Sequence, residues 1–375
     1  MTTVRNTLII GGGFSGMAAA IELRKQGVDV DLIEIDPGWR SYGAGISLGG
    51  ATLRTFRQLG ILDAFLKEGN GADGVKLFLG HGQPIGELPT PRLAGADVPG
   101  GGAIMRPVLA RIMAEATRAS GARVRLGVGF DAIEQDAEGV TVRFTDGTTG
   151  RYDLVVGADG LYSQTRQQVF PDAPKPKYSG QAVWRAVLPR PAEVDCAMMW
   201  MGPHTKPGVN PVSKTEMYMF ITEHRPVNGH VDPKDFPSLM RGLLDGFTAP
   251  LLVQAREHIT DNASIVFRPL EALLVPQPWF KNRVVLIGDA VHATTPHLAS
   301  GACIGIEDGL VLAECVGRGG ALQDALQAFQ ARRWERCRMV VENSMRLGEI
   351  EMTNGSKDEH GRIMRESMMA LAQPI

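Results

Sequence analysis

At 375 residues the chain exceeds the length that one hydrophobic core usually serves, so two closely packed domains are expected. A formal charge of −2, without a dense Lys/Arg run, argues against a nucleic-acid groove or an anionic membrane surface and leaves small molecules as partners. No apolar run approaches the ~20 residues that cross a bilayer, and Cys196, Cys303, Cys315 and Cys337 have neither paired nor zinc-type spacing, which points to free thiols in the cytoplasm and no metal.

Residues 7–10 form a short apolar run of β character that opens directly onto Gly11-Gly12-Gly13-Phe14-Ser15-Gly16, leaving no room for a signal peptide. A helical stretch follows over 17–26, Gly27 closes it, and 28–34 alternates as a second strand. In this βαβ opening Gly11 permits the tight turn, Gly13 lets a pyrophosphate approach the backbone, and Gly16 lets helix and strand pack closely. Glu34, at the end of the second strand, is placed to accept hydrogen bonds from an adenosine ribose. A GxGxxG alone is weak evidence. Strand before, helix after and acid at this distance together predict a bound dinucleotide.

Residues 43–48 read as a loop and 51–59 as a helix ending at Gly60. The segment 74–88 reads as two short strands joined at Gly80-His81-Gly82, a hairpin of another domain, and the Pro- and Gly-rich 89–102 as a linker or mobile loop. A helix over 105–120 carries Leu109, Ile112, Met113 and Ala116 at helical spacing. Arg106 lies in its first turn, where the helix dipole disfavours a cation, so it wants an anionic neighbour; a solvated surface arginine is the plain alternative. Strands at 123–128, 130–136 and 139–144, with a turn at Asp146-Gly147, lead to a buried strand over 153–156. That strand hands Asp159-Gly160 to a helix start.

From 178 to about 268 the pattern changes to spaced strands at 182–188, 196–201, 216–221 and 263–267, with a helical stretch over 236–257. This is an antiparallel sheet with a helix, joined by the earlier hairpin into a second domain. Met198, Met199, Met201, Met217 and Met219 on these strands suit core filling or a pocket for a planar ligand. A buried strand over 284–287 then delivers Gly288-Asp289, Pro296 lies in the next loop, and a helix of small residues opens near Gly301 and continues through 312. A helix N-terminus there offers unpaired amides and partial positive charge to a ligand that gains negative charge, as reduced flavin does. Residues 322–345 form an amphipathic, charged helix, and 353–361 reads as a polar loop.

Gly11 to Gly16 with Glu34, Asp159-Gly160 with Ser163 and Arg166, and Gly288-Asp289 with Pro296 and Glu307-Asp308 occur in that order. The triple resembles the single-component, class A flavoprotein monooxygenases, the p-hydroxybenzoate hydroxylase-like aromatic hydroxylases, over nearly the whole chain. Within them it is most similar to the salicylate, hydroxynicotinate and urate hydroxylase-like subgroup. With the element pattern, the resemblance implies an α/β protein: a Rossmann-like FAD-binding domain (1–73, 104–177, 276–320), an inserted antiparallel-sheet substrate domain (178–275, with hairpin and linker at 74–103) and C-terminal helices (321–375). It implies one tightly bound FAD, NADPH or NADH as a transient co-substrate, and O2. The implied reaction hydroxylates a small aromatic or N-heteroaromatic substrate through a flavin C4a-hydroperoxide, in a monomer or homodimer.

Carried over position by position, the resemblance assigns Gly11, Gly13 and Gly16 to the pyrophosphate, Glu34 to the ribose, and Arg106 to the ribityl and pyrophosphate region. Arg40 falls near the flavin, Asp289 on the ribityl or pyrophosphate, and Pro296, Ser300, Gly301 and Ala302 in the flavin loop. Asp159 belongs to a motif tied to FAD and nicotinamide binding, with a structural strand-end acid as the alternative. Where many members have Gly-Gln-Gly this chain has Ala299-Ser300-Gly301, and Cys303 replaces a frequent Asn; a positive φ at Ala299 would be strained. At the substrate end His297 and Tyr218 are candidates for base, relay or substrate contact, each weighed against a structural role. Arg185 is read as a structural ion pair and His292 as structural. The rival readings are the same chemistry on another acceptor (epoxidation, Baeyer–Villiger insertion, antibiotic inactivation) and a flavin redox sensor.

Overall fold

The computed structural model describes residues 4–41, 43–202, 205–260 and 264–375. β1 (Asn6–Ile10) runs into the glycine turn, α1 (Phe14–Lys25) follows, and β2 (Asp29–Glu34) returns parallel to β1. After β3 (Gly45–Gly49), α2 (Gly50–Leu59), α3 (Leu62–Glu68) and β4 (Asn70–Ala72) comes the hairpin of β5 (Val75–Leu79) and β6 (Pro84–Leu88). β7 (Gly101–Met105) pairs antiparallel with both β3 and β4. Residues 43–48, read as a loop, are therefore largely strand. Glycine-rich segments carry little intrinsic β preference, and pairing across a gap of more than fifty residues creates this one.

α4 (Arg106–Ala119) leads to β8 (Arg123–Leu126) and to a small antiparallel sheet of β9 (Phe130–Gln135), β10 (Val140–Phe144) and β11 (Thr149–Tyr152). β12 (Leu154–Gly157), buried throughout, lies parallel to β1, and α5 (Gln164–Val169) follows it.

β13 (Lys177–Pro189) is the spine of the largest sheet. With β14 (Ala197–Met201), β15 (Gly208–Pro211), β16 (Glu216–His224), and, after α6 (Phe236–Gly242) and α7 (Pro250–His258), β17 (Ile265–Ala272), it gives the order β17-β13-β16-β15-β14-β5-β6. The helix expected over 236–257 is two helices: Gly246 takes φ +87 between them and Pro250 opens the second. The strand expected at 263–267 begins at Ala263, outside the described residues, and β17 continues it to Ala272.

β18 (Phe280–Lys281) and β19 (Val284–Leu286) complete a six-stranded sheet, β18-β19-β12-β1-β2-β8. The chain closes with α8 (Asp289–His292), a 3-10 turn at Pro296–Leu298, α9 (Gly301–Gly317), α10 (Leu322–Met352) and α11 (Lys357–Ala372). The polar stretch 353–361 is thus mostly helix. Its signal is a capping box, Ser356 with Glu359, in which the Ser356 hydroxyl accepts the Glu359 amide at 3.2 Å.

α9 is apolar over most of its surface because nearly all of it, from Cys303 to Ala313, is buried. It crosses α1 at backbone distance: a Cβ on Gly309 would stand 2.5 Å from the Ala19 amide nitrogen. This close approach puts the N-terminus of α9 beside that of α1. No described helix is long and apolar enough to cross a membrane.

Candidate functional site

Three strand-to-helix turns meet on one side of the six-stranded sheet. At the first, Gly11 adopts φ +106 with its Cα so close to the third strand that a Cβ would lie 2.4 Å from the Ala158 carbonyl oxygen. A Cβ on Gly16 would stand 2.1 Å from the Gly11 carbonyl oxygen, whereas one on Gly13 would meet nothing within 4 Å. Gly13 is the N-cap of α1 and no side chain caps that helix, so its first amides and partial positive charge face open space. Glu34 accepts the Gly12 amide at 2.7 Å and the Asp36 amide at 2.8 Å. Trp39, with φ +46, donates its indole N–H to the Gly12 carbonyl at 2.8 Å and carries Arg118 over its ring.

The second turn is self-contained. Asp159 accepts from the Ser163 hydroxyl (2.5 Å), the Thr165 amide (2.9 Å) and the Thr165 hydroxyl (3.0 Å), so its carboxylate is spent on starting α5. Buried Arg166 donates to the Ala290 carbonyl at 2.7 Å and ties this turn to the third.

At the third turn Gly288 takes φ +61 and exposes Asp289, which makes no hydrogen bond or ion pair among the described residues. Gly288 and Gly305 both lie against the Ser15 hydroxyl of the first turn of α1. Behind Asp289 is a charge cluster buried except at Arg336. Asp308 accepts the Gly288 amide (2.9 Å), His292 Nε2 (2.5 Å) and Arg333 Nε (2.8 Å), and Glu307 takes Arg336 through both oxygens at 2.7 and 2.8 Å. Burial disfavours a charge on His292, but the adjoining Asp308 carboxylate prevails and raises its pKa well above the usual imidazole range. Ligand atoms of His292, Asp308 and Cys337 lie within 4.8 Å of one another, yet Arg333 already neutralises Asp308, so the group is an ion cluster.

Arg106 faces Asp289. Its guanidinium lies 5.1 Å from the Phe14 ring, its Nε donates to the Ser41 hydroxyl at 3.1 Å, and surrounding protein depresses its pKa while Asp289 opposes the shift. It is crowded by protein yet open to solvent, as a residue lining a cleft is. Arg40 turns away: it pairs with Asp36 at 3.0 Å on the surface. Ala299 is left-handed (φ +48, ψ +30), an unfavourable conformation for a residue with a Cβ, costing ~1 kcal/mol. Ser300 precedes α9 without capping it, its hydroxyl donating to the Leu298 carbonyl, so the amides near Gly301 and Ala302 have no side-chain acceptor; Pro296 is partly exposed beside them.

The substrate-end candidates are separated. Tyr218 is buried, its ring against Gly45 and its hydroxyl hydrogen-bonded to Ser47, which also accepts Asn210 Nδ2 at 2.9 Å; burial raises its phenol pKa. His297 points toward α10, with Nδ1 on the Thr295 hydroxyl at 3.0 Å and Nε2 3.7 Å from Glu351. Burial holds its pKa down to about 4. Arg185, read as a structural ion pair, has no acidic partner among the described residues; burial lowers its pKa, and it feels Tyr218 and Arg106. Trp39 and Glu351 escaped the sequence reading. Trp39 had a signal, a glycine-preceded aromatic just past the acid of β2, whereas Glu351 had none, because two of its partners, Lys206 and His297, come from distant segments.

The sequence profile of the family described as FAD binding domain matches residues 5–344. Among curated proteins the chain is 32% identical to the aurachin C monooxygenase/isomerase of Stigmatella aurantiaca, over 93% of this chain and 90% of that one. It is also 32% identical to the 3-amino-4-hydroxybenzoate 2-monooxygenase of Streptomyces cremeus, covering 91% and 86%. A Klebsiella pneumoniae protein solved with FAD and uric acid superposes with a TM-score of 0.83 at 24% identity, covering 100% of this chain and 94% of that one, which shows a shared fold.

Proposed function

The chain belongs to the FAD binding domain family of flavoprotein monooxygenases, and from that premise we propose that it hydroxylates a small aromatic or N-heteroaromatic compound with O2 and NADPH or NADH. The observation that carries the reading is the cleft formed by two uncapped helix N-termini, of α1 and α9, with Arg106 and Asp289 facing each other between them.

The residues present fit FAD. The open face of Gly13 and the first amides of α1 would take the pyrophosphate, Glu34 the adenosine ribose, and Arg106 and Asp289 the ribityl and phosphate groups. The amides near Gly301 and Ala302 would face the edge of the ring that becomes electron-rich, with Pro296 and Ser300 shaping the loop. When bound, FAD supplies the transfer of electrons from the nicotinamide to O2. Gly11 and Gly16 act through packing. Asp159 acts by starting α5, and Arg40 by holding the surface loop after β2 through Asp36.

In this reading segments 74–103 and 178–275 roof the cleft. Arg185 offers an uncompensated cation to a phenolate or carboxylate of the substrate, and Tyr218 is a wall whose hydroxyl stays protonated. His297 orients the Pro296 loop through Thr295. Burying these groups excludes water, which oxygen transfer requires. The four buried free thiols suit a reducing cytoplasm, and the proposal includes a monomer or homodimer.

The test is anaerobic stopped-flow reduction of the purified flavoprotein by NADPH and NADH with a panel of phenols, hydroxypyridines and purines. A large acceleration by one aromatic is the expected result. Uniformly slow reduction with every compound would favour a redox sensor instead.

A further inference from the structure

We infer that the substrate is an amphiphile, an acidic aromatic or heteroaromatic ring carrying an apolar arm, and that the arm lies across the largest sheet along the row Arg185, Phe220, Gly208, Met199 and Leu77. The inference rests on the oxygenase reading above. The register sets these residues side by side on neighbouring strands: Arg185 of β13 opposite Phe220 of β16, Phe220 opposite Gly208 of β15, Gly208 opposite Met199 of β14, and Met199 opposite Leu77 of β5. At about 4.8 Å between strands the row is about 19 Å long.

Side chains alternate between the two faces of a sheet, and the residues one position along, Trp184, Met219, Val209, Trp200 and Phe78, fill the core on the opposite face. The row is different. Arg185, Phe220, Met199 and Leu77 are half-buried, and among the described residues Met199 and Leu77 belong to none of the hydrophobic cores. A Cβ on Gly208 would stand 2.3 Å from the Phe220 ring, so that ring covers the glycine and continues the apolar surface from β16 toward Met199. Methionine at the next position adapts its shape to a ligand. Apolar surface left half-open in this way gains free energy when an apolar group covers it.

One end of the row is cationic. Arg185 has no acidic partner among the described residues, and its charged neighbours, Arg106 and Arg268, are cations. Next to Phe220 on the same face, Tyr218 and Ser47 share one hydrogen bond between two hydroxyls, and Asn210 donates to Ser47 at 2.9 Å. One hydroxyl hydrogen is thus left without an acceptor among the described residues. An oxyanion of the ligand, phenolate or carboxylate, compensates Arg185 and accepts that hydrogen. Arg106, which faces Asp289, marks this end as the one nearest the cofactor cleft, so the arm leads away from the cleft toward Leu77.

The experiment is calorimetric titration of the oxidised holoenzyme at pH 8.5 with 4-alkylsalicylates and 4-alkyl-2-nitrophenols, from the unsubstituted ring to hexyl. Affinity is expected to rise about fourfold per methylene in at least one series, with one ligand per protein, and the series that responds tells carboxylate from phenolate. The double change Met199→Ser with Leu77→Ser should cut the rise to less than about twofold per methylene, and Arg185→Met should weaken every member at least about tenfold while the rise persists. No rise in either series, or a rise that the double variant keeps, would overturn the arm site. Binding here needs neither nicotinamide nor O2. A ligand that binds with the full rise yet never accelerates flavin reduction would strike the oxygenase reading and leave the arm site standing; a bare aromatic that accelerates reduction while both series stay flat would do the reverse.

Discussion

Asp308, fully buried in α9, accepts the amide of Gly288 at 2.9 Å, so a carboxylate on the helix sets the turn that presents Asp289. The same side chain pairs with His292 and with Arg333, both buried, and Glu307 supplies the second negative charge beside Arg333. Removing one partner of a buried ion pair strands the others in low dielectric. Asp308→Ala is therefore expected to lose ~3–5 kcal/mol of stability and most of its FAD, and Asp308→Asn, which keeps an acceptor for Gly288, to lose less. Thermal unfolding followed with flavin absorbance decides this. A melting temperature within about 2 °C of the parent would contradict the clamp.

Asp289 itself supports nothing in the fold among the described residues. Asp289→Ala should fold normally and bind FAD ~10–100-fold more weakly, the worth of one charge-assisted hydrogen bond. Purified protein with a full flavin-to-protein ratio would remove Asp289 from the cofactor site.

Two glycines separate packing from binding. Gly309→Ala places a methyl 2.5 Å from the Ala19 amide and should cost ~1–3 kcal/mol in denaturant titrations. Gly13→Ala meets open space at φ −73, so stability without FAD should change by less than about 0.5 kcal/mol while FAD affinity falls. Equal effects of both changes on both quantities would refute the distinction.

Acid should act through His297. Its folded pKa of about 4 lies below the ordinary 6.5, so as pH falls through 6.5 the unfolded chain binds a proton that the folded chain refuses. Stability is full above 6.5 and drops by roughly 1.4 kcal/mol per pH unit down to about 4, ~3 kcal/mol in all. His297→Gln should flatten that part of the stability curve. Glu351, its pKa held at about 2, remains ionised throughout this window, so a slope unchanged by the substitution would show that His297 titrates in the folded state near its ordinary value.

Legibility followed the range of the interactions. The β1–Gly11–α1–β2 unit could be read because every requirement lies within about thirty residues and concerns residue type: no Cβ at Gly11 and Gly16, an open Gly13, an acid at the end of β2. Asp159 was recognisable as a strand-end acid, but nothing in its spacing told that Ser163 and Thr165 would occupy it. Arg185 was read as a structural ion pair, and β13 instead turns it toward Arg106 and Tyr218, with no acidic partner among the described residues. β3 was missed because Ile46 and Leu48 alternate only between glycines and a serine, too short a pattern to mark a strand, and the strand forms by pairing with β7.

The sequence by itself determined the α/β class, the dinucleotide turn and the order of the three motifs, because turns and helix starts need particular residues at fixed short spacings. Only the tertiary structure decided that Asp308 sets Asp289, that Tyr218 spends its hydroxyl on Ser47, and that His297 faces Glu351 rather than the cleft. Those outcomes depend on which side chains are desolvated together, and Ser47 and Tyr218, 171 positions apart, meet only once the two sheets have packed.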